Sequence, residues 1–231
     1  MNTGANNAQK TKGGIKMKNN TEMINNITEL VFILDRSGSM GGLESDVIGG
    51  FNSMIRKQRD EAGEAFVTTI LFDDRVETVH SSEPIGTIPD MDRNTYYVRG
   101  CTALLDAVGS TILKVSNRQD KLEAGKKAGK VIFVITTDGL ENASREFSRR
   151  QVKNLIDSKT EAGWEFIFLG ANMDAVDEAE KIGIRASRAG NFTASEEGID
   201  ASYMAVGSVI SEMRSCPNMK QVDGSWKKKL K

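Results

Sequence analysis

Leu30-Val31-Phe32-Ile33-Leu34-Asp35-Arg36-Ser37-Gly38-Ser39 decides the fold: an unbroken apolar run, then a carboxylate, then two hydroxyls at alternate positions in a glycine-containing turn. A short apolar run bounded by turn formers is the pattern of a strand buried on both faces. Carboxylate and hydroxyl oxygens are hard donors, suited to a divalent cation such as Mg²⁺. The turn then opens into a helical pattern, with Leu43, Val47, Phe51 and Ile55 recurring every four positions. Amides at a helix N-terminus favour negative charge nearby. Alone, the D-x-S-x-S pattern is weak, because Asp, Gly and Ser are ordinary turn formers. Its meaning depends on what the ends of other strands supply.

Two further segments supply the same kind of group. Val131–Thr137 is a second continuous apolar run, and it ends in Asp138-Gly139. Gly100-Cys101-Thr102 presents a hydroxyl immediately before the helical stretch Ala103–Val108. In a doubly wound sheet the carboxyl ends of parallel strands face one crevice, where ligands bind. Asp35, Ser37, Ser39, Thr102 and Asp138 are therefore expected to converge from three loops. This constellation resembles the von Willebrand factor type A domain family and its metal-ion-dependent adhesion site. That family's pattern is D-x-S-x-S, a loop Thr, then a strand-end Asp, and all these positions are filled here in order. The resemblance spans roughly residues 28–213.

The rest of the chain reads as alternating strands and helices. Phe66–Phe72 and Val76–His80, joined through Asp73-Asp74, form an expected hairpin, so one of the pair is antiparallel. Residues 103–116 carry Leu104, Val108, Ile112 and Val115 on one helical face. A third helix is expected from Ser144 to Thr160, with Asn142 or Ser144 as its cap. Strand Trp164–Leu169, a short helix at Asp174–Lys181, a weak strand at Arg185–Ala189 and a last helix at Ser195–Met213 follow. The expected fold is a three-layer, doubly wound α/β domain with a mostly parallel sheet and one antiparallel edge strand. Gly49-Gly50 lies inside the first helix, at a cost of roughly 1 kcal/mol per glycine. Close packing on the sheet, or a kink, is the expected reason.

Composition sets the domain limits. Apolar residues make up 39%, slightly low, because the two ends of the chain are mostly polar. The expected division is a polar, disordered segment at 1–26, the domain at 27–214 and a Lys-rich tail at 215–231. The first sixteen residues read as a leader, with Met17 an alternative start. The formal net charge of −1 conceals an asymmetry. Lys10, Lys12, Lys16 and Lys18 face only Glu22 in the first segment, and Lys220, Lys227, Lys228, Lys229 and Lys231 face only Asp223 at the end. The domain between them is acidic, which argues against nucleic acid as a partner. The terminal lysines read as a solvated tail. No run has the roughly 18 apolar residues of a membrane span, and no secretory signal is evident. Cys101 and Cys216 make no disulfide framework, so a reduced, cytoplasmic setting is expected.

The resemblance implies roles for individual residues. Ser37 and Ser39 would be direct hydroxyl ligands of the ion, and Thr102 would bind directly in one state and through water in another. Asp35 and Asp138 would balance the charge, often through water. The cofactor would be Mg²⁺, with Mn²⁺ or Ca²⁺ as alternatives. A carboxylate of a partner protein commonly completes such sites, which implies a protein-binding module and not an enzyme. The other setting in which short bacterial relatives occur is as an accessory subunit of an ATPase-driven or stress-response assembly of the tellurite-resistance kind. In the family the loop Thr is also coupled to movement of the final helix.

Other chemistry is poorly supported by the residues. A serine hydrolase built on Ser39 lacks the first glycine of the G-x-S-x-G elbow, where Ser37 stands, and needs a base. His80 is the single histidine and falls on an edge strand. Ser37 also occupies the place of the second Asp that a haloacid-dehalogenase-type phosphatase requires. No P-loop or G-x-G-x-x-G is present. Cys101 is expected to be a small packing residue, Asp106, Glu141 and Asn142 to orient the ligating residues or, the better reading, to cap helices, and Asp46, Asp73 and Asp74 to face solvent.

Overall fold

The computed structural model describes residues 26–230. Six strands form one sheet: β1 (Thr28–Asp35), β2 (Ala65–Phe72), β3 (Val76–Pro84), β4 (Lys130–Thr137), β5 (Glu165–Gly170) and β6 (Ala189–Asn191). Their spatial order is β3-β2-β1-β4-β5-β6, and only the β2–β3 pair is antiparallel. The helices are α1 (Glu44–Arg59), α2 (Leu104–Lys121), α3 (Arg149–Glu161), α4 (Ala175–Lys181) and α5 (Glu196–Ser215). This is the expected three-layer, doubly wound fold with an antiparallel edge.

β1 lies in the middle because it is apolar on both faces. Leu30, Phe32 and Leu34 enter one core with Phe51 of α1 and with Val206 and Ile210 of α5. Val31 and Ile33 enter the other with Val108 and Ile112 of α2 and Ile156 of α3. β2 flanks β1 on one side and β4 on the other, both parallel. The chain therefore leaves β1 and β4 toward opposite layers, and the two carboxyl ends open a crevice at this switch point.

Three local expectations are corrected. α3 begins at Arg149, capped by Ser148 in a reciprocal pair with Gln151. The residues before it stay non-helical because the Asp106 carboxylate accepts the amides of Arg145, Glu146 and Phe147 at 2.8–2.9 Å. The weak strand falls at Ala189–Asn191 instead of Arg185–Ala189. Ala186–Arg188 is a 3₁₀ turn, and buried Arg188 points inward to Glu165 and the Met219 carbonyl. The Lys-rich end is not a solvated tail over its described length. Met219, Val222 and Trp226 are buried in the α1/α5 core, and the Trp226 indole donates to the Ser187 carbonyl at 3.1 Å. The apolar residues between the lysines outweigh the charge, and Lys227 donates to the Ala186 carbonyl. The disorder and leader readings of residues 1–25 lie outside the described residues. No described helix is long and apolar enough to cross a membrane.

Gly50 is needed for helix contact, not sheet contact. A side chain there would strike the ring of Tyr203 on α5, whereas Gly49 has open space around it. The two neighbouring glycines should respond with opposite signs. Gly50→Ala should destabilise by about 1–3 kcal/mol through overpacking, and Gly49→Ala should stabilise by about 0.5–1 kcal/mol through helix propensity. Urea unfolding of the two variants against the parent chain measures both.

Candidate metal centre

The loops after β1, β2 and β4 and the β3–α2 connection that carries Thr102 are tied together by hydrogen bonds. The Arg36 amide donates to the Phe72 carbonyl at 2.8 Å, and the Arg99 amide donates to the Arg36 carbonyl at 2.9 Å. Gly38 donates to Gly100 at 3.2 Å, and Ala103 donates to Asp73 at 2.8 Å. The Tyr96 hydroxyl, fully buried, donates to the Asp35 carbonyl at 2.6 Å. Asn142 joins the third loop: its side chain accepts the Thr102 amide at 2.9 Å, and its amide donates back to the Thr102 carbonyl at 3.0 Å. The Glu141 carboxylate accepts the amide of Leu105 and so caps α2, as expected for a helix cap.

This stitching brings the five sequence-derived residues together. Ser37 and Ser39 hydroxyls lie 3.1 Å apart, and Ser39 donates to Asp138 Oδ1 at 2.6 Å. Asp35 Oδ1 accepts the Ser37 amide at 2.7 Å, and Oδ2 accepts the Thr137 hydroxyl at 2.5 Å. A Cβ placed on Gly139 would sit 3.1 Å from Thr102 Oγ1 and 3.3 Å from Ser39 Oγ. The Thr102 and Ser39 hydroxyls thus share the small space that glycine leaves open. Asp138 Oδ2 is buried with no hydrogen-bond partner.

The charges here are unlike those elsewhere in the molecule. Five carboxylates are buried among the described residues: Glu29, Asp35, Asp73, Asp138 and Glu165. Glu29 pairs with Arg118, Asp73 with Arg36 and Arg99, and Glu165 with Arg185 and Arg188. Asp35 and Asp138 have no cationic partner and lie side by side. Burial pushes the Asp35 carboxyl up to about 6 against the bonds from Thr137 and Ser37, with the Asp138 charge adding to the rise. Burial likewise raises Asp138. Buried charges are normally paired or bind metals. Two unpaired carboxylates beside three hydroxyls match the donor set of a hard divalent cation. No group of three or more His, Cys, Asp or Glu side chains able to hold a metal exists among the described residues, so any ion here would rely on hydroxyl oxygens.

Sequence reasoning misplaced several neighbours. Asp73 is fully buried and not solvent-facing; its Oδ2 accepts Arg36 Nε at 2.8 Å and Arg99 Nε at 2.6 Å. Arg36 is itself fully buried and reaches Glu77 at 2.6 Å. The signal was an arginine directly after β1 and an aspartate directly after the strand beside it, β2, whose last residue Phe72 is in register with Asp35. Cys101 is exposed and is not a packing residue. His80 pairs with Thr69 on the β2–β3 ladder, and burial lowers its pKa.

No family model and no curated protein matches the sequence. Solved structures do match in fold. The chain is 10% identical to the vWF domain of the type V pili tip protein Mfa5 from Porphyromonas gingivalis, covering 82% of itself and 96% of that chain with a TM-score of 0.59. Against manganese-loaded Plasmodium vivax TRAP protein the values are 18%, 77%, 72% and 0.53. Against proximal thread matrix protein 1 from the mussel byssus, with zinc occupying its MIDAS motif, they are 13%, 80%, 46% and 0.56. The chain thus spans about half the length of that mussel protein. At such identities the likeness establishes the fold, which is the type A α/β architecture.

The Arg36–Asp73–Arg99 cluster should dominate the stability of these loops. Burial alone would raise the Asp73 carboxyl, but bonds from Arg99, the Arg75 amide and Arg36 hold it below its ordinary 3.8. Its stabilisation is therefore present above that value and lost as pH falls through the lower folded value. Asp73→Ala leaves Arg36 buried with one carboxylate fewer and should cost about 3–5 kcal/mol at neutral pH. In urea melts the deficit should shrink as the pH is taken below about 4.

Proposed function

We propose that this chain is a metal-ion-dependent binding module that captures an acidic side chain of a partner protein. The observation that carries this reading is the pair Asp35 and Asp138, the two buried carboxylates without a cationic partner among the described residues, beside the hydroxyls of Ser37, Ser39 and Thr102. The three hydroxyls and Asp138 would hold the ion. Asp35, with both oxygens already accepting hydrogen bonds, would supply charge from behind. Two carboxylates neutralise a divalent ion, so an incoming anion meets no net repulsion. When bound, the ion would offer a Lewis-acidic position to an anionic oxygen. Mg²⁺ suits this oxygen-only set best, because it keeps waters that a carboxylate can replace. The zinc- and manganese-bearing neighbours of the same fold support a divalent cation in general.

A binding role fits the residues better than catalysis. General-base chemistry needs a proton acceptor within hydrogen-bond reach of the nucleophile, and the single histidine sits on the β2–β3 ladder. Asp138 is engaged with Ser39, but as an ion ligand it would not be free to act as a base. We expect no esterase, phosphatase or nucleotidase turnover in a substrate screen; turnover abolished by Ser39→Ala would overturn the binding reading.

Isothermal titration tests the ion itself. The parent chain should bind one Mg²⁺ or Mn²⁺, and Asp35→Ala and Asp138→Ala should each weaken binding by at least about tenfold. Equal affinity in all three proteins would remove the assignment.

A further inference from the structure

The rim of the crevice carries a second feature. Among the described residues, four large apolar side chains are exposed, and two of these, Tyr97 and Leu140, belong to the loops bearing Thr102 and Asp138. Tyr97 is 42% exposed, and the guanidinium groups of Arg36 and Arg99 lie 5.2 Å and 5.5 Å from its ring centre. Tyrosine and arginine are the residues most enriched at the energetic centres of protein interfaces. Their placement beside the crevice marks this face for contact.

Arg99 is the residue with unused capacity. Arg36 is fully buried and faces two carboxylates, Asp73 and Glu77, so it serves the interior. Arg99 shares Asp73 Oδ2 through Nε, touches the Tyr97 hydroxyl through Nη1 at 3.4 Å, and has a side chain 37% exposed. Its Nη2 makes no hydrogen bond among the described residues. The fork is held from behind by a buried carboxylate and from the side by an aromatic ring, while its outer edge meets solvent. Such a pre-ordered guanidinium loses little entropy on accepting a carboxylate in two-point fashion. Arg36, Arg75 and Arg99 balance Asp73, Asp74 and Glu77 here, so a second acid faces a locally neutral rim on which Arg75 and Arg99 both reach solvent but only Arg99 is held in place by a buried carboxylate.

The position relative to the proposed ion is set by the sheet. Asp73 follows Phe72, which pairs in register with Asp35 on the adjacent strand. Neighbouring strands lie about 4.8 Å apart, so the end of β2 that anchors Arg99 lies one strand spacing from Asp35 on one side, and β4, which leads to Asp138, lies one spacing away on the other. Two carboxylates on one short segment can span that separation, since each extended residue covers about 3.3 Å.

We propose that Arg99, seated on Tyr97 and Asp73, reads a second carboxylate of the partner. The occupant of this face is then a protein loop bearing two acids a few residues apart, one for the ion and one for Arg99. This rests on the metal-dependent reading above and specifies its partner.

The test uses capped peptides Asp-(Gly)n-Asp, with n from zero to four, and matched Asp-(Gly)n-Asn controls. Binding to the full chain is followed by NMR titration in Mg²⁺ and in EDTA. At the best spacing the two-acid peptide should bind about three- to fivefold more tightly than its control in Mg²⁺. Arg99→Gln should abolish that difference, read as the ratio of two-acid to one-acid affinity within the variant, so that any loosening of the Asp73 anchor common to both peptides cancels; remaining Mg²⁺-dependent binding of the control shows that the variant is folded. Arg99→Lys should restore part of the difference. Equal binding of two-acid and one-acid peptides at every spacing, with Mg²⁺ dependence intact, overturns the role of Arg99 alone. Binding that is the same in Mg²⁺ and EDTA for all peptides overturns the metal-dependent reading and this inference with it.

Discussion

The central constraint is that β1 is buried on both faces and yet ends in charge. Leu30 to Leu34 alternate between two cores, so the strand sits mid-sheet between β2 and β4. That position delivers Asp35 to the switch point, where the loops after β1 and β4 part. A strand with one polar face would belong nearer an edge, and its terminal carboxylate would meet water. Here the same apolar burial that fixes the strand also strips solvent from Asp35, and the raised carboxyl follows from it.

The molecule handles buried acid in two ways. At the amino ends of the strands, Glu29 meets Arg118, Gln119 and Thr68, and Glu165 meets Arg185 and Arg188. At the carboxyl ends, Asp73 meets two arginines. These three are complete within the chain and act as clasps between elements distant in sequence. Asp35 and Asp138 are surrounded by hydroxyls and amides instead. Hydrogen bonds from neutral groups lower the cost of a buried charge but do not cancel it. The chain therefore holds a pair of buried carboxylates that none of its own cations pairs with among the described residues, in a crevice whose walls are hydrogen-bonded to one another.

That rigidity comes from Asp73 as much as from the strands. Its side chain joins Arg36, which precedes Ser37 and Ser39, to Arg99, and its carbonyl accepts the amide of Ala103, next to Thr102. One buried residue outside the D-x-S-x-S and strand-end motifs thus sets the spacing between the two hydroxyl-bearing loops. Asn142 does the same between Thr102 and the loop after Asp138. The orientation of the oxygen donors depends on these bonds, because serine and threonine hydroxyls have no preferred direction of their own.

The sequence alone determined the order of elements, the antiparallel β2–β3 edge and the five residues at the crevice. Those features follow from local period, unbroken apolar runs and the chemistry of residues at strand ends, which act over a few neighbours. Only the tertiary structure decided what the intervening residues do. Asp73 looks like a turn residue until Arg36 and Arg99 close on it, and Gly50 looks like a helix defect until Tyr203 packs over it. Residues 145–147 carry helix-compatible letters, but the Asp106 carboxylate, some forty positions away, takes their amides first. The lysine-rich end reads as solvated because charge dominates a short window, whereas Met219, Val222 and Trp226 gain a core that exists only once α1 and α5 are assembled. In each case the deciding partner is remote in sequence, and burial, not local preference, sets the outcome.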